Sequence, residues 1–249
     1  MNPLKYLRNK FLKFFGDIKI FKYPFFLLYD PGSYLVKGDD VRKVINCVQP
    51  GDILIRGYKN YLDGYFIPGF FSHAGLYLGK TLVRNDMAEN IRHLYKEGEQ
   101  TVIHSMAEGV FMEDIINFCR CDYLIILRRN KTVEPGVDIP ASNQQVVEQA
   151  LKSLGVNYDF EFDFRDSKEM SCTEFVYHSC KQYVELYGVK IKKKQVLFTK
   201  KEMIIPDDFI TNKFDIAFKS SSIKQSKIDN ILVKNSKQSV KGKESALKS

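Results

Sequence analysis

A chain of 249 residues with 44% hydrophobic and 27% charged residues has the composition of a folded domain, which excludes collagen-like, low-complexity and wholly disordered chains. Its formal charge of +8 invites a nucleic-acid or anionic-membrane function, but that charge sits at the two ends. Residues 219–249 hold eight lysines against Asp229 and Glu244, and residues 1–15 hold Lys5, Arg8, Lys10 and Lys13 with no acid, so the body between them is slightly negative. The charge therefore gives no argument for a nucleic-acid partner.

In chain order, Leu4, Leu7, Phe11, Phe14 and Phe15 recur at helical spacing with basic residues on other faces. This predicts a basic amphipathic helix that either lies on a membrane surface or docks on its own domain. The apolar stretch Tyr23–Tyr29 is too short to span a bilayer and is broken by Pro24. No apolar h-region with a cleavage site precedes it, so the expected location is the cytoplasm, with peripheral membrane contact through residues 1–15. Residues 1–37 form this N-terminal segment, 38–218 the body, and 219–249 a Lys/Ser-rich tail. The tail carries only scattered Ile, Val and Leu and is expected to be disordered.

Within the body, Asp40–Ile45 reads as a short helix and Asp52–Arg56 as a strand after the Pro50-Gly51 turn. An aromatic connection, Tyr65–Phe71, leads into the alternating strand Ser72–Gly79, with His73, Gly75 and Tyr77 on one face. Thr101–Ser105 and Tyr123–Leu127 read as further strands, and Met112–Phe118 as one or two helical turns. Residues 140–154 carry the helical stripe Val146, Val147, Ala150, Leu151 and Leu154, stopped by Gly155. Asn157–Phe164 alternates like a strand or extended loop, and a helix over 171–187 places Phe175, Val176, Ser179, Tyr183 and Leu186 inward. Lys192–Lys194 reads as a solvated loop and Phe214–Phe218 as an edge strand. There is no internal repeat.

The cysteines, Cys47, Cys119, Cys121, Cys172 and Cys180, are odd in number and lack CxxC spacing, which argues for thiols. A thiol is most often a small buried hydrophobe, the reading given to Cys47, Cys119, Cys121 and Cys180. Cys172 differs in opening a helix, where unpaired N–H groups and the helix dipole favour thiolate. A nearby imidazole would complete its activation. Taken alone, His73 among its apolar neighbours reads better as a satisfied core histidine.

The blocks Asp52–Arg56 with Ser72–Gly79, Val102–Ser105 with Gly109-Val110, Gly155–Phe160 and Ser171–Val176 together resemble the YiiX/YebB-like group of permuted NlpC-type papain-like cysteine hydrolases. The blocks run from about Pro50 to Tyr187, with His before Cys, the reverse of unpermuted relatives. The resemblance implies an α+β, circularly permuted papain-like fold in which an antiparallel sheet packs against the nucleophile-bearing helix. It implies Cys172 as nucleophile, His73 as general base and His104 as the residue that orients His73. The backbone N–H of Cys172 and the Tyr158 hydroxyl would stabilise the oxyanion. The group often has a carboxylate in place of His104, so Glu108 stands as an alternative orienting residue. His93 and His178 receive no role.

The expected function is hydrolysis of an amide bond, as a peptidase or amidase, through a Cys172 thioester. A lipid-acting acyltransferase or phospholipase would use the same chemistry on a lipid substrate, and a catalytically silent binding module would keep the pocket alone. A zinc site on His73, His104 and Cys172 ranks below the thiol mechanism, so no metal and no cofactor are expected. Substrate and oligomeric state are not encoded in any short motif.

Overall fold

Ile53–Gly57, which we label β3, is buried along its whole length, as a strand covered on both faces must be. In the computed structural model, which describes residues 18–20, 27–29, 34–59, 68–82, 88–164, 167–196 and 199–246, this strand is central to a six-stranded sheet. The expected N-terminal helix and residues 65–67 of the aromatic connection lie outside the described residues.

Strands β1 (Ile18–Ile20) and β2 (Leu27–Tyr29) form a separate antiparallel pair. Helix α1 (Gly38–Cys47) precedes β3. Then come β4 (His73–Thr81), α2 (Glu89–Arg92), β5 (Gly98–Met106), β6 (Gly109–Asp114), α3 (Ile115–Phe118) and β7 (Tyr123–Arg128). Helices α4 (Ile139–Leu151), α5 (Cys172–Ser179) and α6 (Lys181–Val184) follow. The chain closes with β8 (Lys192–Val196), β9 (Thr199–Met203), a 3₁₀ turn at Pro206–Phe209, β10 (Asp215–Lys219) and α7 (Gln225–Ala246). The large sheet runs β10-β7-β3-β4-β5-β6 and every neighbouring pair is antiparallel.

Strand alternation divides the molecule into two cores. Ile53, Ile55, Ala74, Leu76, Ile103, Val110, Met112, Ile125 and Leu127 pack with Val146 and Ala150 of α4 and with Phe175 and Val176 of α5. On the opposite face Leu54, Tyr77, Val102, Leu124 and Ile126 pack with Val44 of α1 and with Ile115 and Phe118 of α3. The expected antiparallel sheet packed against the Cys172-bearing helix is what the chain forms.

Four local expectations are corrected. Met112–Asp114 is strand, because Gly109, at φ +99°, closes a hairpin that carries these residues alongside β5; only Ile115–Phe118 is helical. The helix expected over 171–187 breaks after Ser179 at Cys180 and resumes for one turn, leaving Leu186 exposed. Lys192–Lys194 is not a solvated loop but strand, with the ammonium groups of Lys192 and Lys194 at 3.0 and 2.9 Å from the buried carboxylate of Asp208. The tail expected to be disordered contains α7: Ile223, Ile228 and Ile231 are buried, and each such side chain contributes roughly 1.5–3 kcal/mol, enough to offset the ordering of the turns that carry it. Phe214–Phe218 was expected at a sheet edge, and β10 is the edge strand beside β7.

Candidate active site

The histidines are brought together by register. Gly75 of β4 pairs with His104 of β5, and Arg56 of β3 pairs with His73, so Arg56, His73 and His104 share one face of the sheet. His73 Nε2 and His104 Nδ1 are 2.8 Å apart, and both rings are buried. Gly75 lies between them because it has no side chain: a Cβ there would stand 2.9 Å from the Phe118 ring and 3.1 Å from His104 Cβ. Phe118 and Phe111 flank His104, with centroids 5.4 and 4.5 Å from its ring. Burial holds both imidazoles below the usual histidine range; the Arg56 charge acts in the same direction on both, while Glu113 opposes it at His104.

Cys172 is the first residue of α5, and an S-x-x-E capping box fixes that helix start. The Glu174 carboxylate accepts the Ser171 N–H at 2.7 Å, and the Ser171 hydroxyl accepts the Glu174 N–H at 3.5 Å. The preceding residue is pinned to the sheet by the Ser105 hydroxyl, which donates to the Met170 carbonyl at 2.5 Å. The body of α5 packs on the Ala74–Leu76 face, and Cys172 is tied to β4 through the backbone N–H of Ala74, next to His73, not through an imidazole. Sequence reasoning expected the helix terminus to favour thiolate. Burial outweighs it and pushes the Cys172 thiol up to about 11, although the N–H groups of Ala74 and Thr173 pull the other way. Cys172 therefore rests as a thiol.

Two further predicted residues lie on connecting segments. Tyr158 is half-buried in the connection from α4 to α5, with its ring edge-on to Phe160 at 4.8 Å. Glu108 is exposed in the β5–β6 turn, and its charge acts on His104, favouring the protonated ring. The carboxylate that does reach His104 is Glu113 on β6. Its Oε1 stands 3.1 Å from His104 Nε2, off the line of the N–H bond, and 3.4 Å from Arg56 Nη1. Reading Met112–Phe118 as helix hid Glu113. Strand alternation from Gly109 would have put Phe111 and Glu113 on the His104 face.

Two further acids shape the approach to the site. Asp207 accepts the backbone N–H groups of Phe70 and Phe71 at 2.8–3.1 Å and so anchors the connection that enters β4 at His73. Glu174, two residues after Cys172, is pushed up to about 8 by burial and by the neighbouring Asp159 carboxylate. A carboxyl raised in the folded state keeps its proton where the unfolded chain, near 4.5, has lost it. Stability therefore falls as pH climbs through that window and levels off above about 8. Glu174→Gln retains the oxygen that accepts the Ser171 N–H and removes the titration. A melting-temperature series should show this decline flattened in the variant, with the variant the more stable of the two near pH 8; an unchanged slope would refute the assignment.

As a metal centre the donor set does not fit. The His73 and His104 nitrogens face one another, and among the described residues no three His, Cys, Asp or Glu side chains converge as ligands. No described helix is long and apolar enough to cross a membrane.

Comparison with known proteins agrees with this architecture. No curated protein matches the sequence. Among solved structures, the metalloprotein YiiX from Escherichia coli O157:H7 superposes with a TM-score of 0.50 at 15% identity, covering 70% of this chain and 98% of its own, which is a likeness of fold. The sequence model of the permuted papain-like amidase enzymes, the YaeF/YiiX, C92 family, matches residues 47–226, a span that takes in β3 through β10 with both histidines and Cys172. This chain belongs to the permuted papain-like amidase family.

Proposed function

We propose that the protein is a cysteine amidase in which Cys172 attacks the carbonyl carbon of an amide and His73 transfers the protons. The observation that carries this reading is the 2.8 Å contact of His73 Nε2 with His104 Nδ1, one residue from the Ala74 N–H that faces the Cys172 sulfur. Because Nε2 is committed to His104, exchange with the thiol uses His73 Nδ1. In the first half-reaction Nδ1 takes the Sγ proton as the S–C bond forms, then gives it to the departing amine, leaving an acyl thioester. Water, deprotonated by the same Nδ1, hydrolyses the thioester and restores the thiol. The oxyanion falls to the Cys172 N–H at the open end of α5, with the Tyr158 hydroxyl as second donor.

A sulfur–imidazole contact is commonly loose in a ligand-free enzyme and tightens on substrate. Although the YiiX structure is titled a metalloprotein, the imidazoles here are turned to each other and we route no step through a metal. The lipid-acting alternative leans on residues 1–15, outside the described residues, and no observation favours it. The test is turnover of acyl p-nitroanilides by the full chain, with hydroxylamine added to trap the acyl group. Chromophore release and hydroxamate formation that vanish in Cys172→Ala are expected; release that persists in that variant overturns the reading.

A further inference from the structure

The polar chain on the sheet face does not end at His104. Glu113 Oε1 stands 3.1 Å from His104 Nε2, and Arg56 Nη1 lies 3.4 Å from the same oxygen. Arg56 is itself buried and fixed: Nη1 donates to the Phe118 carbonyl at 3.0 Å, Nη2 lies 3.4 Å from the Met106 sulfur, and the guanidinium stacks 4.3 Å from the Phe118 ring. We propose that Glu113, held by Arg56, is a positioning residue that fixes the tautomers of both histidines and so leaves His73 Nδ1 as a bare acceptor. This rests on the thiol mechanism proposed above.

The proton positions follow from the donor inventory. Arg56 and His104 hold the Glu113 carboxyl below the usual range, so it is ionised and can only accept. The carboxylate charge 3.1 Å away favours hydrogen over a lone pair on His104 Nε2, although the two atoms are not aligned as a hydrogen bond. His104 is neutral, so its Nδ1 is then the bare nitrogen. The 2.8 Å contact requires a proton, and His73 Nε2 must supply it. His73 is also neutral, so its Nδ1 carries a lone pair.

Reverse the first proton and every later one reverses, ending with an N–H at His73 Nδ1 that cannot accept from the thiol. Glu113 has a second effect when His73 becomes an imidazolium. The Arg56 cation alone opposes that charge, whereas the Arg56–Glu113 pair is neutral overall. The nascent charge on His73 can be shared through His104 toward Glu113. No oxidant or additional reactant enters, and the proton count is conserved at each contact.

The experiment is a long-range ¹H–¹⁵N spectrum of the full chain, tractable because the sequence has four histidines, combined with acetylation of Cys172 by p-nitrophenyl acetate. The expected spectrum shows His73 and His104 both protonated at Nε2. Glu113→Gln can turn its amide N–H toward His104 and invert the chain, so it should shift these tautomers and slow acetylation by about tenfold or more. Glu113→Asp should recover much of the rate. A wild-type His73 protonated at Nδ1 overturns the proposal, and so does Glu113→Gln with wild-type tautomers and rate. If the wild-type chain does not acetylate at Cys172, the thiol mechanism falls, and the tautomers still decide the role of Glu113 by themselves.

Discussion

In His73→Ala, p-nitrophenyl acetate is expected to acetylate Cys172 about a hundredfold more slowly near neutral pH than in the wild-type chain. The size follows from the burial of the nucleophile. With the thiol pushed up to about 11 by burial, preformed thiolate is scarce near neutral pH. A base must remove the proton as the bond forms. The pH profiles should therefore differ in shape as well as height. The wild-type rate should level off once His73, held below the usual range, is neutral, whereas the variant should keep rising with pH toward the thiol's own ionisation. Release of p-nitrophenol gives the rate and peptide mass analysis locates the acetyl group. Equal rates, or acetylation of another thiol instead, would remove His73 from the mechanism.

Gly109→Ala should cost the fold about 2–4 kcal/mol and lower the melting temperature by roughly 5–15 °C. Gly109 holds φ +99°, where an L side chain is strained, and its Cβ would stand 2.5 Å from the Val156 carbonyl oxygen. That oxygen also accepts the Val110 N–H at 2.8 Å, and the Val110 carbonyl accepts the Gly155 N–H at 2.9 Å. The clash is with backbone and has no flexible side chain to absorb it. The turn joins β6, which carries Glu113, to the Gly155–Asn157 segment leading to the nucleophile, so acetylation of Cys172 should fall even below the new melting point. Calorimetry on the two chains checks the first effect, and a melting temperature within 2 °C or so of wild type would contradict it.

The parts of this architecture that sequence patterning exposed are those governed by short-range alternation and by terminators. His73, Gly75 and Tyr77 alternate along β4, Tyr123–Leu127 is a continuous apolar run buried from Leu124 to Leu127, and Gly155 ends the helical pattern. Cys172 could be placed at a helix start because capping residues are local. The misses are tertiary. Burial of the thiol is decided by how α5 docks, which no local signal near Cys172 encodes. Glu113 meets His104 only through the β5–β6 register, and that register depends on a left-handed turn at Gly109. The spacing of Ile223, Ile228 and Ile231 offered an apolar stripe, but the lysines and serines around it dominated the composition. Family resemblance assigned the third role to His104 or Glu108; the contact with a carboxylate beyond His104 is a property of this chain's own packing.

The order of these elements along the chain also has a consequence for synthesis. Arg56, His73, His104 and Glu113 all lie on strands completed by residue 114, and β7 closes beside β3 by residue 128, whereas Cys172 follows only after α4. The polar row is therefore synthesised before Cys172, yet the sheet that carries it buries its other face against α4 and α5, so the domain folds as a unit only once α5 is made. On the proposed mechanism, the site is complete only after the last third of the chain has emerged and α5 has seated against β4.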